Sequence, residues 1–384
     1  MKLLVAIAAI DVRERPAATK SWWGLLRALN EAGHQILALP FLGRAFDSPW
    51  WRGIDNPTKR LSSILFSEGR RASESRFMTS LYVKHHKALT SIPRGLFSRK
   101  WKTAIERTFL HEGDIDAVIF LNVPLNLLSD LPSYIKQRFH VPSIYFDVDL
   151  PISLPSYGGF HLSHYLGANL SQFDGFLTTS EGVRSELTSM GVKNIAEVHW
   201  GIDHRLYSPI DVSKNTDVFF YGSTSRFRSE WFDKMVCRPA LELPNRVIAI
   251  SGRASNQYAH VKMLGFLSFD LWKRQICATN ICLNISRDPH ANAGGTSTMR
   301  LFELASMGAC MVSNPHNGLQ NWFEPKKEVY ILQERDRPSE IYEWLLGNPQ
   351  LMKEMGVRAR ARVLRDHTCD HRAKDIVRFV SKLS

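Results

Sequence analysis

The amino-acid sequence predicts an α/β protein made of two Rossmann-like, doubly wound domains that face a cleft. First, 384 residues are more than one ordinary domain needs, and 44% of them are hydrophobic, which is enough to build full cores. Second, short apolar runs alternate with helical patterns, which is typical of parallel sheets covered on both faces. Third, this alternation restarts after a polar stretch at 203–215 that contains Pro209.

These observations divide the chain into three parts. Residues 1–204 form an N-terminal domain, residues 205–365 form a C-terminal domain, and residues 366–384 form a helix placed to pack back across the cleft. Ligands of doubly wound sheets bind at the carboxyl ends of the strands. We therefore expect the functional residues in the loops that follow strands.

Each domain begins with an apolar strand. The run at 3–10 is too short for a signal sequence and leads straight into Asp11, so it is interpreted as a buried strand. The helix predicted at 20–32 has apolar residues at helical spacing and ends at Gly33, and the helix predicted at 180–190 starts at Ser180 as its N-cap. The remaining strands of this half are predicted at 35–39, 115–121, 143–148, 173–178 and 195–199.

The C-terminal half repeats the pattern with fewer strands and more helix. Apolar runs predict strands at 217–221, 247–250, 281–285 and 310–313. Helical periodicity predicts the helices that close the chain, at 339–346, 349–365 and 371–383.

The charge of the chain points to an anionic partner. The formal net charge is +12, and residues 44–107 contribute +9 of it, from 14 basic and 5 acidic side chains. This stretch also holds the aromatic residues Trp50, Trp51, Phe66, Phe77, Tyr82 and Trp101. Either this stretch docks on an anionic membrane surface or acceptor, or its charged side chains form a solvated face around a buried aromatic cluster. No nucleic-acid-binding signature accompanies it, which argues against nucleic acid as a partner.

The cysteine pattern indicates a reducing compartment. The five cysteines lie in the second half of the chain and include no C-x-x-C pair, which argues against a disulfide framework or a zinc ribbon. No run of about 18 apolar residues is present to span a membrane. We expect a cytoplasmic protein, with the basic stretch able to hold it at the inner face of the membrane.

The most informative motif runs from Gly294 through Gly308. It is interpreted as a Gly-rich loop opening a helix, with Ser297 or Thr298 as N-cap and Gly308 just past the end. Helix N-termini bind phosphate. Counted as helix, Thr296, Arg300 and Glu303 share one face. The distance from Ser297 to Glu303, about 9 Å, suits a diphosphate at the loop and a ribose at the carboxylate. The competing interpretation is an ordinary capped helix with a surface Arg–Glu pair.

Further candidates follow other strands. The strand at 217–221 is followed by Gly222, Arg226 and Arg228. The two guanidinium groups are suited to bind phosphate, and the competing interpretation is a solvated basic loop. Asp147 and Asp149 end the strand at 143–148 and, as strand neighbours two apart, are predicted to point the same way. One carboxylate then raises the pKa of the other and suits it to act as a base. The competing interpretation is turn chemistry before Pro151. No metal-ligand spacing is present.

Three segments together resemble the GT-B glycosyltransferases: Phe173–Asp203, Phe219–Arg228 and Leu283–Gly308. The tail around Glu324–Glu328 and His367–Arg372 is similar to the family 4-like group that includes the spore maturation protein CgeB. The resemblance covers roughly residues 170–375, and residues 40–112 carry none of it.

The resemblance implies a hexosyltransferase that uses a nucleotide-diphosphate-sugar donor and needs neither metal nor cofactor. Glu303 would bind the ribose, and Gly222 would allow the backbone to approach the donor or acceptor closely. Arg226 and Arg228 would neutralise the charge of the phosphates. The diphosphate loop, with Arg300 beside it, would consist of Gly294, Gly295, Thr296, Ser297 and Thr298. Gly295 stands where family 4 enzymes often carry a second Glu, so His290 or Asn292 is expected to contact the donor sugar.

In this interpretation the N-terminal domain carries the acceptor, with Asp149 or Asp147 as base and Arg228 stabilising the leaving group. The acceptor class stays open between a glycan, a lipid-linked molecule and a small molecule. A nucleotide-sugar epimerase or hydrolase of the same fold, and a non-enzymatic anion- or nucleic-acid-binding protein, are the alternative functions.

Overall fold

A computed structural model describes residues 1–13, 20–64, 76–128, 130–154, 156, 164–165, 167–224, 227–252 and 257–383, with only the backbone for 76–93. The chain forms two compact units. Unit 1 consists of Met1–His199 together with Cys369–Ser384, and unit 2 is Trp200–Thr368. Each unit is a parallel α/β sheet, as the sequence predicts.

The sheet of unit 1 has seven strands in the order β3-β2-β1-β4-β5-β6-β7, all paired in parallel. The strands are β1 Lys2–Ala9, β2 Gln35–Leu42, β3 Arg52–Gly53, β4 Ala117–Leu121, β5 Ser143–Asp147, β6 Gly175–Thr178 and β7 Ile195–Glu197. The order reverses between β1 and β4, which is the point where doubly wound sheets open a crevice for ligands.

Helices pack around this sheet. They are α1 Lys20–Glu31, α2 Arg76–Glu112, α3 Leu125–Leu128, α4 Leu131–Phe139 and α5 Arg184–Ser189, with α13 Cys369–Val380 contributed by the end of the chain. The predicted helix at 180–190 therefore begins four residues late, and the interpretation of Ser180 as its N-cap is wrong. Among the described residues, none of the helices combines the length and the apolar character that crossing a membrane requires.

Part of the basic, aromatic stretch at 44–107 is buried in the core of unit 1. Trp101 is fully buried and its indole N–H donates to Thr58 Oγ1 at 3.0 Å. Trp51 is only 3% exposed and donates to the carbonyl of Phe46, while Trp50 is half-buried with the guanidinium of Arg27 over its ring. The core interpretation thus holds for Trp51 and Trp101. Phe66 and the side chains of Phe77 and Tyr82 lie outside the described residues.

The sheet of unit 2 has six parallel strands in the order β10-β9-β8-β11-β12-β13, which is the same doubly wound order. The strands are β8 Thr216–Tyr221, β9 Ile248–Ser251, β10 Val261–Met263, β11 Thr279–Asn284, β12 Cys310–Ser313 and β13 Tyr330–Ile331. The order reverses between β8 and β11, so the loops after these two strands border the crevice of this unit.

The helices of unit 2 are α6 Ser229–Phe232, α7 Arg238–Glu242, α8 Phe269–Cys277, α9 Asp288–Asn292, α10 Met299–Ser306, α11 Pro338–Leu346 and α12 Pro349–Asp366. One π-helical turn, Asp233–Cys237, joins α6 to α7. Separate hydrophobic clusters fill the two faces of the sheet, one around Phe220 and Tyr342 and the other around Phe219 and Phe302. The predicted fold class, two Rossmann-like domains, is confirmed.

Candidate functional site

The candidate site of unit 2 lies at the carboxyl edge of its sheet, where the loops after β8, β11 and β12 meet. Gly222 follows β8, Ser286 follows β11, and His316 follows β12 shortly after its last residue. Because all strands are parallel, their carboxyl ends share one edge. The predicted motif 294–308 enters at this edge from the loop after β11.

A buried histidine fixes the Gly-rich loop. His316 Nε2 lies 2.8 Å from the carbonyl oxygen of Thr296, which can only accept, so Nε2 carries the proton. Nδ1 then accepts from the hydroxyl of Ser286 at 3.0 Å. Burial lowers the pKa of His316 from 6.5 to about 4. The imidazole is therefore neutral at pH 7, and its contribution to stability is lost as the pH falls from 6.5 towards 4.

Two glycines let the loop lie against the turn after β12. Gly295 donates its N–H to the carbonyl of Asn317 at 3.0 Å. Gly318 adopts φ +89°, and a Cβ there would lie 2.6 Å from the nitrogen of Gly295. The N–H of Gly295 is thus already paired with protein. The prediction that it donates to a diphosphate does not hold for this residue.

We expect Gly318→Ala to destabilise the protein and to weaken anion binding at the loop. A left-handed conformation costs an alanine about 1–2 kcal/mol, and the new methyl group also has to displace the backbone of Gly295. Gly33→Ala is the matched control, because Gly33 has the same φ of +89° but a Cβ there would meet nothing within 4 Å. Thermal unfolding and titration with UDP measure both effects. Equal losses in the two variants would contradict this account of the loop.

Helix α10 begins at one of the two predicted N-caps. Its N-cap is Thr298, in extended conformation, and its first helical residue is Met299. Thr296 therefore lies in the loop, and the prediction that it shares a helical face with Arg300 and Glu303 is wrong. The Oγ1 of Thr298 is buried and makes no hydrogen bond within the described part of the chain. Beyond the helix, Gly308 has φ +69°, as predicted for a residue that ends a helix.

Glu303 is a buried carboxylate, only 6% exposed. Its Oε2 accepts a hydrogen bond of 2.6 Å from the hydroxyl of Tyr221, the last residue of β8. Burial raises its pKa, against the opposing effects of the Tyr221 hydroxyl, the Arg300 charge and a hydrogen bond from Tyr207. A carboxylate offers about four lone-pair positions. Glu303 thus keeps accepting capacity beyond what Tyr221 uses.

Two guanidinium groups converge on one backbone carbonyl. Arg228 Nε donates to the carbonyl of Ile285 at 2.7 Å, and Arg300 Nη1 donates to the same oxygen at 3.1 Å. The pKa of Arg228 is lowered by burial and then by the positive charges of Arg300 and Arg287. Within the described residues, neither Arg228 nor Arg300 forms an ion pair with a carboxylate. Such a cluster of like charges favours a bound anion, which would relieve the repulsion.

Gly222 makes room for one of these guanidinium groups. It has φ +140°, and a Cβ at this position would lie 2.6 Å from Arg300 Nη2. The guanidinium of Arg300 also lies over the rings of Phe220 and Tyr221, with its central carbon 5.0 and 4.9 Å from their centroids. The close approach predicted at Gly222 is therefore made, in this structure, by an arginine side chain.

His290 is a second buried neutral histidine at this edge. It is 4% exposed, and its Nδ1 makes no hydrogen bond among the described residues. Burial and the charges of Arg287 and Arg228 lower its pKa well below the ordinary range. An unsatisfied buried ring nitrogen is costly, which marks His290 as the better of the two predicted donor-sugar residues. Asn292 is exposed, and Arg226 lies outside the described residues.

The carboxylates of unit 1 differ from the prediction. Asp147 ends β5, is fully buried, and accepts from Tyr165 at 2.5 Å and from the backbone N–H of Asp149 at 2.7 Å. Asp149 therefore lies beyond the strand in a turn, and the prediction that both side chains point the same way from one strand is wrong. Burial raises the pKa of Asp147 to about 6, and the charge of Asp149 adds to this rise.

Asp149 is the more accessible of the two carboxylates. It is only partly buried, and its Oδ2 lies 3.4 Å from the side-chain nitrogen of Asn122, which follows β4. Asn122 adopts φ +53°, which is uncommon outside glycine. Asp147 instead has the turn role that was the competing interpretation, because its carboxylate accepts a hydrogen bond from the N–H two residues ahead.

Sequence reasoning missed Tyr221, Ser286, Asn314 and His316. Asn314 Oδ1 accepts from the N–H of Ser286 at 2.8 Å, which joins the loops after β11 and β12. The only signal was polar residues directly after the apolar strands at 281–285 and 310–313.

Comparison with known proteins agrees with this fold. Residues 228–378 match the family described as "Glycosyl transferase-like". No curated protein sequence is detectably similar to the chain. Among solved structures, a sucrose-phosphate synthase from Thermosynechococcus elongatus has a TM-score of 0.68 at 13% identity, covering 100% of this chain and 98% of that one.

Two further structures show the same fold over nearly their whole length. A glycosyltransferase from Rickettsia africae has a TM-score of 0.61 at 11% identity, covering 100% of this chain and 98% of its own. Anabaena HepE in complex with UDP-glucose has a TM-score of 0.61 at 12% identity, covering 99% of both chains.

The chain therefore has the GT-B fold, and residues 228–378 carry a glycosyl transferase-like domain. The family match supports a transferase of class EC 2.4. The narrower resemblance to the CgeB-like group stays a prediction.

Proposed function

We propose that the protein transfers a sugar from a nucleoside-diphosphate-sugar donor, bound by unit 2, to a glycan acceptor. The main support is the position of Glu303 and of the Arg228–Arg300 pair, which lie at the carboxyl edge of the sheet where the strand order reverses. The carboxylate suits the two ribose hydroxyls as acceptor, and the guanidinium groups suit a diphosphate. HepE, which has the same fold, was solved with UDP-glucose. This supports UDP-sugars as the first donors to test.

Replacing Glu303 by alanine is expected to weaken UDP binding by about 10- to 150-fold for each ribose hydrogen bond lost, since hydrogen bonds to charged groups contribute about 1.5–3 kcal/mol. Calorimetric titration with UDP and GDP measures this. Inorganic pyrophosphate, which lacks the ribose, is the matched ligand control and should bind both proteins equally. Unchanged affinity for every nucleotide would remove Glu303 from the site.

The proposal needs no metal ion at the leaving diphosphate. Arg228 and Arg300 are positioned by the carbonyl of Ile285 and would supply the positive charge that the leaving group requires. Asp149 of unit 1 would take the proton from the acceptor hydroxyl, because it is the more accessible of the two predicted carboxylates. His290 would contact the donor sugar through its unsatisfied Nδ1.

The basic stretch at 44–107 supports a peripheral place on an anionic membrane. We expect the protein to pellet with anionic liposomes and to be released by salt, because each basic residue near such a surface contributes about 1 kcal/mol, screened over about 8 Å. Trp51 is buried and adds no anchor to such a surface, and Trp50 is half-buried. Co-sedimentation with neutral liposomes is the control. Equal, negligible pelleting with both lipids would favour a purely structural role.

A further inference from the structure

The hydroxyl of Tyr221 contacts the candidate ribose carboxylate directly. It donates to Glu303 Oε2 at 2.6 Å across 82 positions of sequence, from the end of β8 to the middle of α10. Burial and the charge of Glu303 raise the pKa of the Tyr221 phenol well above its ordinary value. The phenol is therefore protonated near neutral pH and donates to the ionised Glu303 carboxylate.

The ring of Tyr221 is held from two sides. Trp272 of α8 packs against it in a T-shaped arrangement, with a centroid distance of 5.1 Å, and the guanidinium of Arg300 lies 4.9 Å from its centroid. A ring fixed in this way directs its hydroxyl to one place. The hydrogen bond therefore sets the rotation of the Glu303 carboxylate.

We propose that Tyr221 is a positioning residue that orients the Glu303 carboxylate for the ribose hydroxyls and keeps it ionised. This inference rests on the proposed function, in which Glu303 binds the ribose. A carboxylate that is turned away, or protonated, loses acceptor strength for the diol. Tyr221 thus sets how strongly the site prefers a ribonucleotide to a deoxyribonucleotide.

The charge environment of Glu303 comes from three directions. Tyr221 faces it from β8, Tyr207 faces it from the segment before β8, and Arg300 faces it from one turn earlier in α10. All three favour the ionised form, and burial opposes them. Without the Tyr221 hydroxyl, fewer interactions oppose the rise in the pKa of Glu303 that burial causes. Glu303 should then take up its proton at a higher pH than in the wild-type protein.

The test is Tyr221→Phe, titrated with UDP, 2′-deoxy-UDP and pyrophosphate between pH 6 and 8.5. We expect wild-type protein to prefer UDP over 2′-deoxy-UDP by about tenfold or more, since one charge-assisted hydrogen bond is worth about 10- to 150-fold. In Tyr221→Phe this preference should fall to about twofold or less, pyrophosphate affinity should stay unchanged, and UDP affinity should begin to drop at a higher pH than in wild type.

Tyr342→Phe is the matched control. Tyr342 is another tyrosine of unit 2. It is fully buried and donates to the carbonyl of Met235 at 2.8 Å, in a different hydrophobic cluster. It should keep the wild-type preference and pH profile, so a general loss of stability cannot imitate the expected result. In Glu303→Gln, adding Tyr221→Phe should change the preference no further.

Two negative outcomes are distinguishable. If wild type discriminates, Glu303→Gln does not, and Tyr221→Phe behaves as wild type at every pH, then the positioning role is overturned and the ribose role of Glu303 stands. If wild type binds no nucleotide, or binds UDP and 2′-deoxy-UDP equally, then the proposed ribose site is overturned and the positioning role with it.

Discussion

Replacing Arg228 by alanine is expected to lower turnover by about 10²–10³, the usual loss when one preorganised donor to a developing negative charge is removed. Donor affinity should change less. Arg228 is already positioned, since its Nε is bound to the carbonyl of Ile285, so it costs little reorganisation when charge develops on the leaving diphosphate. Steady-state kinetics that separate kcat from KM measure the effect.

Arg228→Lys is the companion variant. It keeps a positive charge but loses the planar fork that reaches the Ile285 carbonyl and an anion together. We expect its turnover to lie between wild type and Arg228→Ala. A change confined to KM in both variants would contradict the leaving-group role and leave Arg228 as a ground-state binding residue.

Replacing Asp149 by asparagine is expected to lower transfer by about 10²–10⁴, the range of general base catalysis, while UDP binding stays intact. Asp149 belongs to unit 1, whereas the nucleotide groups belong to unit 2. Asparagine preserves the shape of the side chain and its ability to bond Asn122. The measurements are the transfer rate and calorimetry with UDP on the same preparations.

Asp147→Asn is the control for Asp149. Asp147 is buried among Tyr165, Ser153 and the N–H of Asp149, so its replacement should chiefly affect stability. If transfer survives in Asp149→Asn and fails in Asp147→Asn, the base is the buried carboxylate. Full activity in both variants would place the base elsewhere or leave the reaction without one.

The central strands of both sheets were predictable because they are continuous apolar runs between helical patterns. The edge strand β7 was predicted, at 195–199, whereas the edge strands β3, β10 and β13, of two or three residues each, were not. Helix α2 runs for 37 residues through Pro93 and Gly95, residue types that predict a break. Its continuity is not visible in local sequence.

Some residues of the candidate site were likewise predictable from the sequence, and others were not. Glu303 and Arg300 could be predicted as candidates because they lie together in one motif with a recognisable spacing. Tyr221 and His316 were not, because their roles depend on partners 82 and 20 positions away in the chain, which only the folded sheet brings together. The strand ends that carry them were predicted, but the pairing across strands has no local signature.

Unit 1 is discontinuous, since its last helix α13 follows the whole of unit 2 in the chain. Phe379 of this helix packs against β6, so close to Gly175 that a Cβ there would lie 2.5 Å from its ring. On the ribosome, domains generally fold as units in the order in which they emerge. Here the first domain to emerge has to wait for the final segment, whereas unit 2 is complete earlier. Synthesis order and folding order are therefore expected to be reversed, and truncation of the last dozen or so residues should damage the N-terminal domain.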